Sequence, residues 1–250
     1  MPLGPERIRN GGFEVAGGGV QFLPSGDPGT MPLAGGTANH PAGWNVNTGP
    51  IHWLSDQTAR FYPSPPRPFQ GHYFLDLTGN GANRSGGVYQ RIRGRMGRTY
   101  RVSLALGMDD SRGDAGGPVE VTVTFIAYLS SQAIGQVRFR RDRYDSGGAT
   151  WAVQSADTTL NVDLAEVVDE QIVAFLERQR NLASDATDPH RTVVLITAVN
   201  LTTERTEGQY HLAPSNYVGL DAVSVRQVAN TLPELIEIGI DYALSVFGGR

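Results

Sequence analysis

Apolar and polar residues alternate with a period of two along several stretches of the chain. Val119, Val121, Val123, Phe125 and Ala127 alternate with Glu120, Thr122, Thr124 and Ile126. Tyr100, Val102, Leu104 and Leu106 alternate with Arg101, Ser103 and Ala105. A period of two places each set on one face of a strand, and the β-branched content favours a pleated, half-buried surface. His72 to Leu77 reads as a further strand, with Tyr73, Leu75 and Leu77 inward and His72 and Asp76 on the other face. More strands fit Val137 to Arg141, Thr192 to Val199 and Val218 to Val225, and shorter ones fit around Phe13 and Trp44 to Val46. Turn clusters such as Gly79-Asn80-Gly81 and Ser146-Gly147-Gly148 separate them. Many strands joined by Gly-rich turns predict an all-β jelly-roll β-sandwich.

Two segments follow a helical period instead. Asp163 to Leu182 carries Leu164, Val168, Ile172, Phe175, Leu176 and Leu182 at helical spacing, with Asp163 and Glu166 as a capping pair. It predicts a helix inserted at about 163–183. Thr231 to Phe247 repeats the signature: Thr231 and Glu234 form a capping box, Pro233 sits in the permitted first turn, and Gly248-Gly249 follows. Its stripe is Leu232, Leu235, Ile236, Ile240, Ala243, Leu244 and Phe247. The expected organisation is a sandwich over 1–228 and a C-terminal amphipathic helical tail over 229–250.

Composition narrows the function. The 250 residues carry a net charge of −4, so there is no overall cationic field to hold nucleic acid. No apolar run approaches the ~18 residues of a membrane span. With no cysteine, disulfides, thiolate zinc sites and cysteine nucleophiles are excluded. The five histidines, His40, His52, His72, His190 and His211, lack metal-helix spacing, and neither a Gly-x-Ser-x-Gly elbow nor a phosphate loop occurs. A non-catalytic chain is expected. Met1 to Asn10 shows no export signal, which leaves an intracellular location, another export route or a removed leader open.

Four short patterns occur in order: Asn10-Gly11-Gly12-Phe13-Glu14, Gly43-Trp44-Asn45-Val46, Gly71 to Leu77, and Leu220-Asp221-Ala222-Val223-Ser224-Val225, with Gly97 to Ser103 between the last two. Over about residues 8–226 this order resembles the galactose-binding-like jelly rolls. The resemblance is closest to plant cell-wall proteins of unknown function and bacterial choice-of-anchor proteins, and more distant to carbohydrate-binding modules. It implies an extracellular or cell-surface location and a structural calcium ion. By resemblance, Glu14 and Asp221 are the carboxylate ligands, with oxygens near Asn10 completing the shell. The first and last strands would then lie side by side, stapled by the ion. Calcium takes oxygen ligands of this kind.

A glycan partner needs aromatic faces and planar polar groups. Trp44, Trp53, Tyr73, Tyr89, Tyr128 and Trp151 are available, of which Trp44 and Tyr73 read as core. His72, Asp76, Arg101, Glu120 and Trp53 are the candidate ligand-binding residues, the first four on the premise that one sheet face gathers them and Trp53 as an available aromatic. Arg138-Phe139-Arg140-Arg141 reads as an edge strand guarded by charge, and the Arg112-Gly113-Asp114 tripeptide is too short to carry a function. Two functions remain. One is a carbohydrate-binding or surface-recognition module stabilised by calcium. The other is an assembly subunit that docks a protein partner, or forms a homo-oligomer, through residues 231–247; the bland alternative for that helix is to fold back on its own sandwich.

Overall fold

The computed structural model describes residues 1–17, 29–31, 41–48, 51–55, 67–77, 86–108, 119–128, 130, 132–141, 151–161, 191–200 and 218–247. The helix predicted at 163–183 and the Arg-Gly-Asp tripeptide lie outside these residues.

The described chain forms two antiparallel sheets and one helix. The elements are β1 (Leu3–Glu6), β2 (Gly29–Met31), β3 (Asn45–Thr48), β4 (Ile51–Ser55), β5 (Tyr73–Asp76) and β6 (Gly87–Arg93). They continue with β7 (Thr99–Met108), β8 (Val119–Ala127), β9 (Gln132–Arg141), β10 (Trp151–Thr159), β11 (Arg191–Asn200), β12 (Val218–Val228) and α1 (Leu232–Phe247). One sheet runs β10-β7-β12-β5-β4-β2, with β1 also paired to β12. The other runs β3-β6-β11-β8-β9. This is the predicted jelly-roll β-sandwich, and its first and last strands are hydrogen-bonded neighbours, Leu3 opposite Val228 and Glu6 opposite Arg226.

The core between the sheets is built from the alternating sets. Val119, Val121, Val123 and Phe125 of β8 meet Tyr100, Val102, Leu104 and Leu106 of β7 and Leu220 and Val225 of β12, all essentially solvent-free. Trp44, Leu75 and Leu77 join them, and Tyr73 packs at the margin. Arg138 and Arg140 stand exposed on β9, an edge strand. Exposed charge there discourages pairing with another chain.

The strand expected around Phe13 is replaced by a tight turn. Asn10 and Phe13 have φ of 54° and 59°, left-handed values that a strand does not accommodate. Two tryptophans hold the turn: Trp44 Nε1 donates to the Asn10 carbonyl at 2.9 Å and Trp53 Nε1 to the Phe13 carbonyl at 3.1 Å. The Phe13 ring is buried, 5.2 Å from that of Trp44.

The capping box of α1 forms as predicted. Thr231 N–H donates to Glu234 Oε2 at 3.0 Å, Glu234 N–H to Thr231 Oγ1 at 3.4 Å, and Asn230 N–H to Glu234 Oε2 at 2.7 Å. These bonds hold the Glu234 carboxyl below its ordinary range. Among the described residues, no helix is long and apolar enough to cross a membrane.

Candidate functional site

The turn at residues 10–14 exists because its side chains close on themselves. The Asn10 amide donates to the Val15 and Ala42 carbonyls at 2.8 and 3.3 Å, and its Oδ1 accepts from Val15 N–H at 3.0 Å. Gly11 is locked against β12, where a Cβ would fall 1.9 Å from the Val223 carbonyl oxygen. Val223 N–H donates to the Gly11 carbonyl at 3.0 Å. The structure thus uses the Asn10 side chain and carbonyl to brace the turn, and the turn aims Glu14 at the loop before β5.

Asp221 approaches the same loop from β12. A bulge between Asp221 and Ser224 forces Ala222 to a φ of 49°. Asn10, Phe13 and Ala222 are the positive-φ residues other than glycine among those described, and all three adjoin this site. Such strain persists where surrounding bonds over-determine it, and it clusters at functional places.

The two carboxylates grip one loop. Asp221 Oδ2 accepts from Phe69 N–H at 3.0 Å and Gln70 N–H at 3.1 Å, and its Oδ1 accepts from Ala222 N–H at 2.6 Å. Glu14 Oε1 accepts from His72 N–H at 2.9 Å and Tyr73 N–H at 3.0 Å. Gly71 lies between, at a φ of 64°, where a Cβ would sit 2.3 Å from Glu14 Oε1. The two acids are near one another: a Cβ on Gly12 would be 3.8 Å from both Asp221 Oδ1 and Glu14 Cγ. Asp221 is wholly buried. Its burial pushes the carboxyl up to about 7, against the pull of three peptide N–H groups, and the Glu14 charge adds to the rise. The acids at the two ends of the sandwich sequence therefore converge. Among the described residues, no group of three or more His, Cys, Asp or Glu side chains could hold a metal ion.

The gripped loop presents aromatic and polar side chains on the outer face of the larger sheet. Phe69 is 42% exposed, and Arg67, Gln70 and His72 are exposed beside it. Trp151, at the start of β10, donates from Nε1 to the Arg67 carbonyl at 2.7 Å. Its ring lies 6.4 Å from Phe69 and 5.5 Å from Phe74, the latter edge-on. The register explains how the indole fits. Trp151, Gly107, Gly219, Asp76 and His52 form one row across β10, β7, β12, β5 and β4. Gly107 and Gly219, each one residue in from the end of its strand, leave space above the sheet, and a Cβ on Gly107 would meet three indole carbons at 2.8–2.9 Å. Trp151, Phe74 and Leu54 make a small cluster separate from the main core. Val153, 62% exposed, extends the apolar surface along β10.

The candidate ligand residues disperse over the molecule. His72 stands in the gripped loop, beside the aromatic surface. Asp76 is on the same sheet face but fully buried. Arg101 lies six residues along β7 from Gly107, about 20 Å away at strand rise. There it clamps Asp157 through two bonds of 2.8 and 2.9 Å, which hold the Asp157 carboxyl below its ordinary range. Glu120 belongs to the other sheet, opposite Arg140 on β9. Trp53 is buried in the core, 2% exposed, holding the Phe13 carbonyl. The premise that one face gathers His72, Asp76, Arg101 and Glu120 therefore fails, since Glu120 is on the other sheet. Phe69, Gln70 and Trp151 are the residues that the strand pattern does not reveal as a group. The signal for them is the pair of glycines inside otherwise regular strands, which marks a close approach.

The outer face of the smaller sheet carries a different cluster. Tyr89, Ile126, Tyr128, Val193 and Leu195 pack together there, all buried, with the Arg91 guanidinium 5.0 Å from the Tyr128 ring centre. Burial pushes the Tyr89 hydroxyl up to about 12.

The sequence matches no protein-family model and no curated relative. Solved structures similar to it include an arabinose-bound GH51 α-L-arabinofuranosidase, with 12% identity and a TM-score of 0.48 over 90% of this chain and 27% of that one. The carbohydrate-binding module TmCBM61, in complex with β-1,4-galactotriose, has 10% identity and a TM-score of 0.42 over 90% of this chain and 99% of that one. The N-terminal cellulose-binding domain of Cellulomonas fimi β-1,4-glucanase C has 12% identity and a TM-score of 0.38 over 76% of this chain and 92% of that one. The chain thus spans about a quarter of the arabinofuranosidase and nearly all of the two binding domains.

Proposed function

We propose that this chain is a non-catalytic carbohydrate-binding module acting outside the cell or at its surface. Its glycan seat is the outer-face patch of Phe69 and Trp151, flanked by Gln70, His72 and Arg67. The observation that carries this reading is the partly exposed aromatic pair on a loop whose four main-chain amides are fixed by Glu14 and Asp221. Aromatic rings offer faces for the C–H surface of a sugar, and planar amide, imidazole and guanidinium groups suit its hydroxyls. A loop fixed before binding loses little freedom when the ligand arrives, which raises affinity.

A calcium ion belongs to the same reading. Glu14 and Asp221 supply hard oxygen donors of the kind calcium takes, and the two carboxylates approach one another beside Gly12. Main-chain carbonyls and water would have to complete its shell, since Glu14 Oε1 and both Asp221 oxygens already accept peptide N–H groups. Such an ion supplies positive charge between two acids that otherwise repel and ties the first turn to the last strand. The chain's own residues position the loop: Asp221 holds residues 69 and 70, Glu14 holds 72 and 73, and Trp44 and Trp53 hold the turn that bears Glu14.

Titration calorimetry against plant, fungal and bacterial polysaccharides, guided by a glycan array, tests the proposal. Phe69→Ala and Trp151→Ala are each expected to lower affinity ~5- to 30-fold, consistent with stacking worth ~1–2 kcal/mol. Glycan binding that survives both substitutions unchanged sinks the assignment of the seat. Silence across the array with a folded, calcium-loaded protein sinks the function.

A further inference from the structure

Helix α1 is mounted inside out. Glu234 and Glu237 turn toward the sandwich, where Arg98 lies 3.2 Å from Glu234 and 2.7 Å from Glu237, and Arg95 also pairs with Glu237. Among the described side chains of the helix, Ile238, 7% exposed, is the apolar one that faces inward. It seats over Gly4 of β1, where a Cβ would lie 3.3 Å from it. On the opposite side Leu232, Leu235, Ile236, Gly239, Ile240 and Ala243 follow the spacing of a single helical stripe, and all are exposed. Leu232, Ile236 and Ile240 are 69%, 58% and 56% exposed. A surface helix ordinarily turns such a stripe to its own core. Here the two arginines hold the acidic face instead.

We infer that this stripe pairs with the same stripe of a second copy of the chain, about a two-fold axis passing near Gly239. The charge pattern favours a second copy. The stripe itself is uncharged, and Glu234 and Glu237, which would repel their counterparts across a helix pair, are drawn to Arg95 and Arg98. The same surface therefore meets itself without like charges opposed, as an isologous contact requires. Gly239 has nothing within 4 Å of the place its Cβ would occupy. With Ala243 four residues on, it lets two helix backbones approach closely where they cross. A lipid surface fits poorly, because residues 227–249 contain no basic residue to meet anionic headgroups. From Leu232 to Ala243 the stripe is one helix wide and ~17 Å long, which puts the contact at the small end of specific interfaces.

The absence of cysteine gives a clean test on the full chain. A Gly239→Cys variant is expected to oxidise to a covalent dimer, since a disulfide requires Cα atoms ~4.4–6.8 Å apart. Val153→Cys, on an exposed position of the sandwich, should remain monomeric under the same conditions. Sedimentation of the unaltered chain at ~100 μM should show dimer, and Ile236→Glu with Ile240→Glu should weaken association at least ~10-fold while leaving the sandwich's unfolding midpoint in place. A chain that stays monomeric at that concentration overturns the inference. So does equal cross-linking of the two cysteine variants, or recruitment to neutral lipid vesicles without dimer formation.

Discussion

Replacing Gly71 by alanine tests how the loop ahead of β5 is held. At a φ of 64°, a residue with a Cβ bears ~1–2 kcal/mol of left-handed strain. The added methyl would also lie 2.3 Å from Glu14 Oε1 and 2.5 Å from Glu14 Cδ, so the carboxylate must withdraw. Its bonds from His72 and Tyr73 N–H then break. Hydrogen bonds to charged acceptors contribute ~1.5–3 kcal/mol each, but the freed amides lie near solvent and regain water, so ~2 kcal/mol for the pair is the fair figure. The expected loss is ~3–4 kcal/mol. Gly97→Ala supplies the control: its φ is 74°, and nothing lies within 4 Å of the Cβ position, so it should cost only the strain of ~1–2 kcal/mol. Urea unfolding of both variants, extrapolated linearly to water, measures the difference. Equal destabilisation would show that Glu14 does not occupy the space beside Gly71, and the account of the loop would fall with it.

Metal-free protein should lose stability as pH rises. The folded pKa of Asp221, about 7, stands above its unfolded value of 3.8, so the folded state binds more protons between these limits and Asp221's stabilisation, full below pH ~4, disappears as pH passes ~7. At 1.36 kcal/mol per unit the loss approaches ~4 kcal/mol; chemical unfolding in chelator from pH 4 to 8 should show it, added calcium should flatten it, and a flat metal-free profile would contradict the burial argument. Trp53→Phe removes the indole N–H that pairs with the Phe13 carbonyl, so it should cost ~1–3 kcal/mol through the unsatisfied acceptor; a neutral result in thermal unfolding would deny that bond its role. Arg101→Ala, at a solvent-screened ion pair, should leave stability nearly unchanged and glycan affinity unaltered, whereas a large affinity loss would return Arg101 to the binding site. Thr231→Ala should cost ~1 kcal/mol at the start of α1, visible as faster amide exchange confined to the first turn.

What the sequence makes legible follows from how local each cause is. β7, β8 and β12 announce themselves because their alternation is dense in Val, Leu and Tyr, and the start of α1 is visible because Thr231 and Glu234 are three residues apart. The pairing of Glu14 with Asp221 is legible only through the resemblance of the opening and closing motifs, since more than 200 positions separate them in the chain. β4, β6 and β10 escape notice: β10 reads Trp-Ala-Val-Gln-Ser-Ala-Asp-Thr-Thr, with small and polar residues obscuring its period. The turn at Phe13 is misread as a strand because its shape depends on Trp44 and Trp53, which are distant in sequence. The outer face of β5 is expected to be polar, yet Phe74 is buried there because Trp151, 77 positions later, reaches across two glycines to cover it. The direction in which α1 faces depends on Arg95 and Arg98, and no helical period encodes that.

The grip of two carboxylates on four peptide groups separates the path of a loop from the identity of its side chains. Phe69, Gln70 and His72 hang from a backbone whose course is set by Glu14, Asp221 and the hole at Gly71. Exchanging those three residues would alter the chemistry the surface presents while leaving the bonds to Glu14 and Asp221, which go to main-chain N–H groups, in place. The segment is thus a natural point of variation, a rigid frame into which new specificities could be written by evolution or by a combinatorial library.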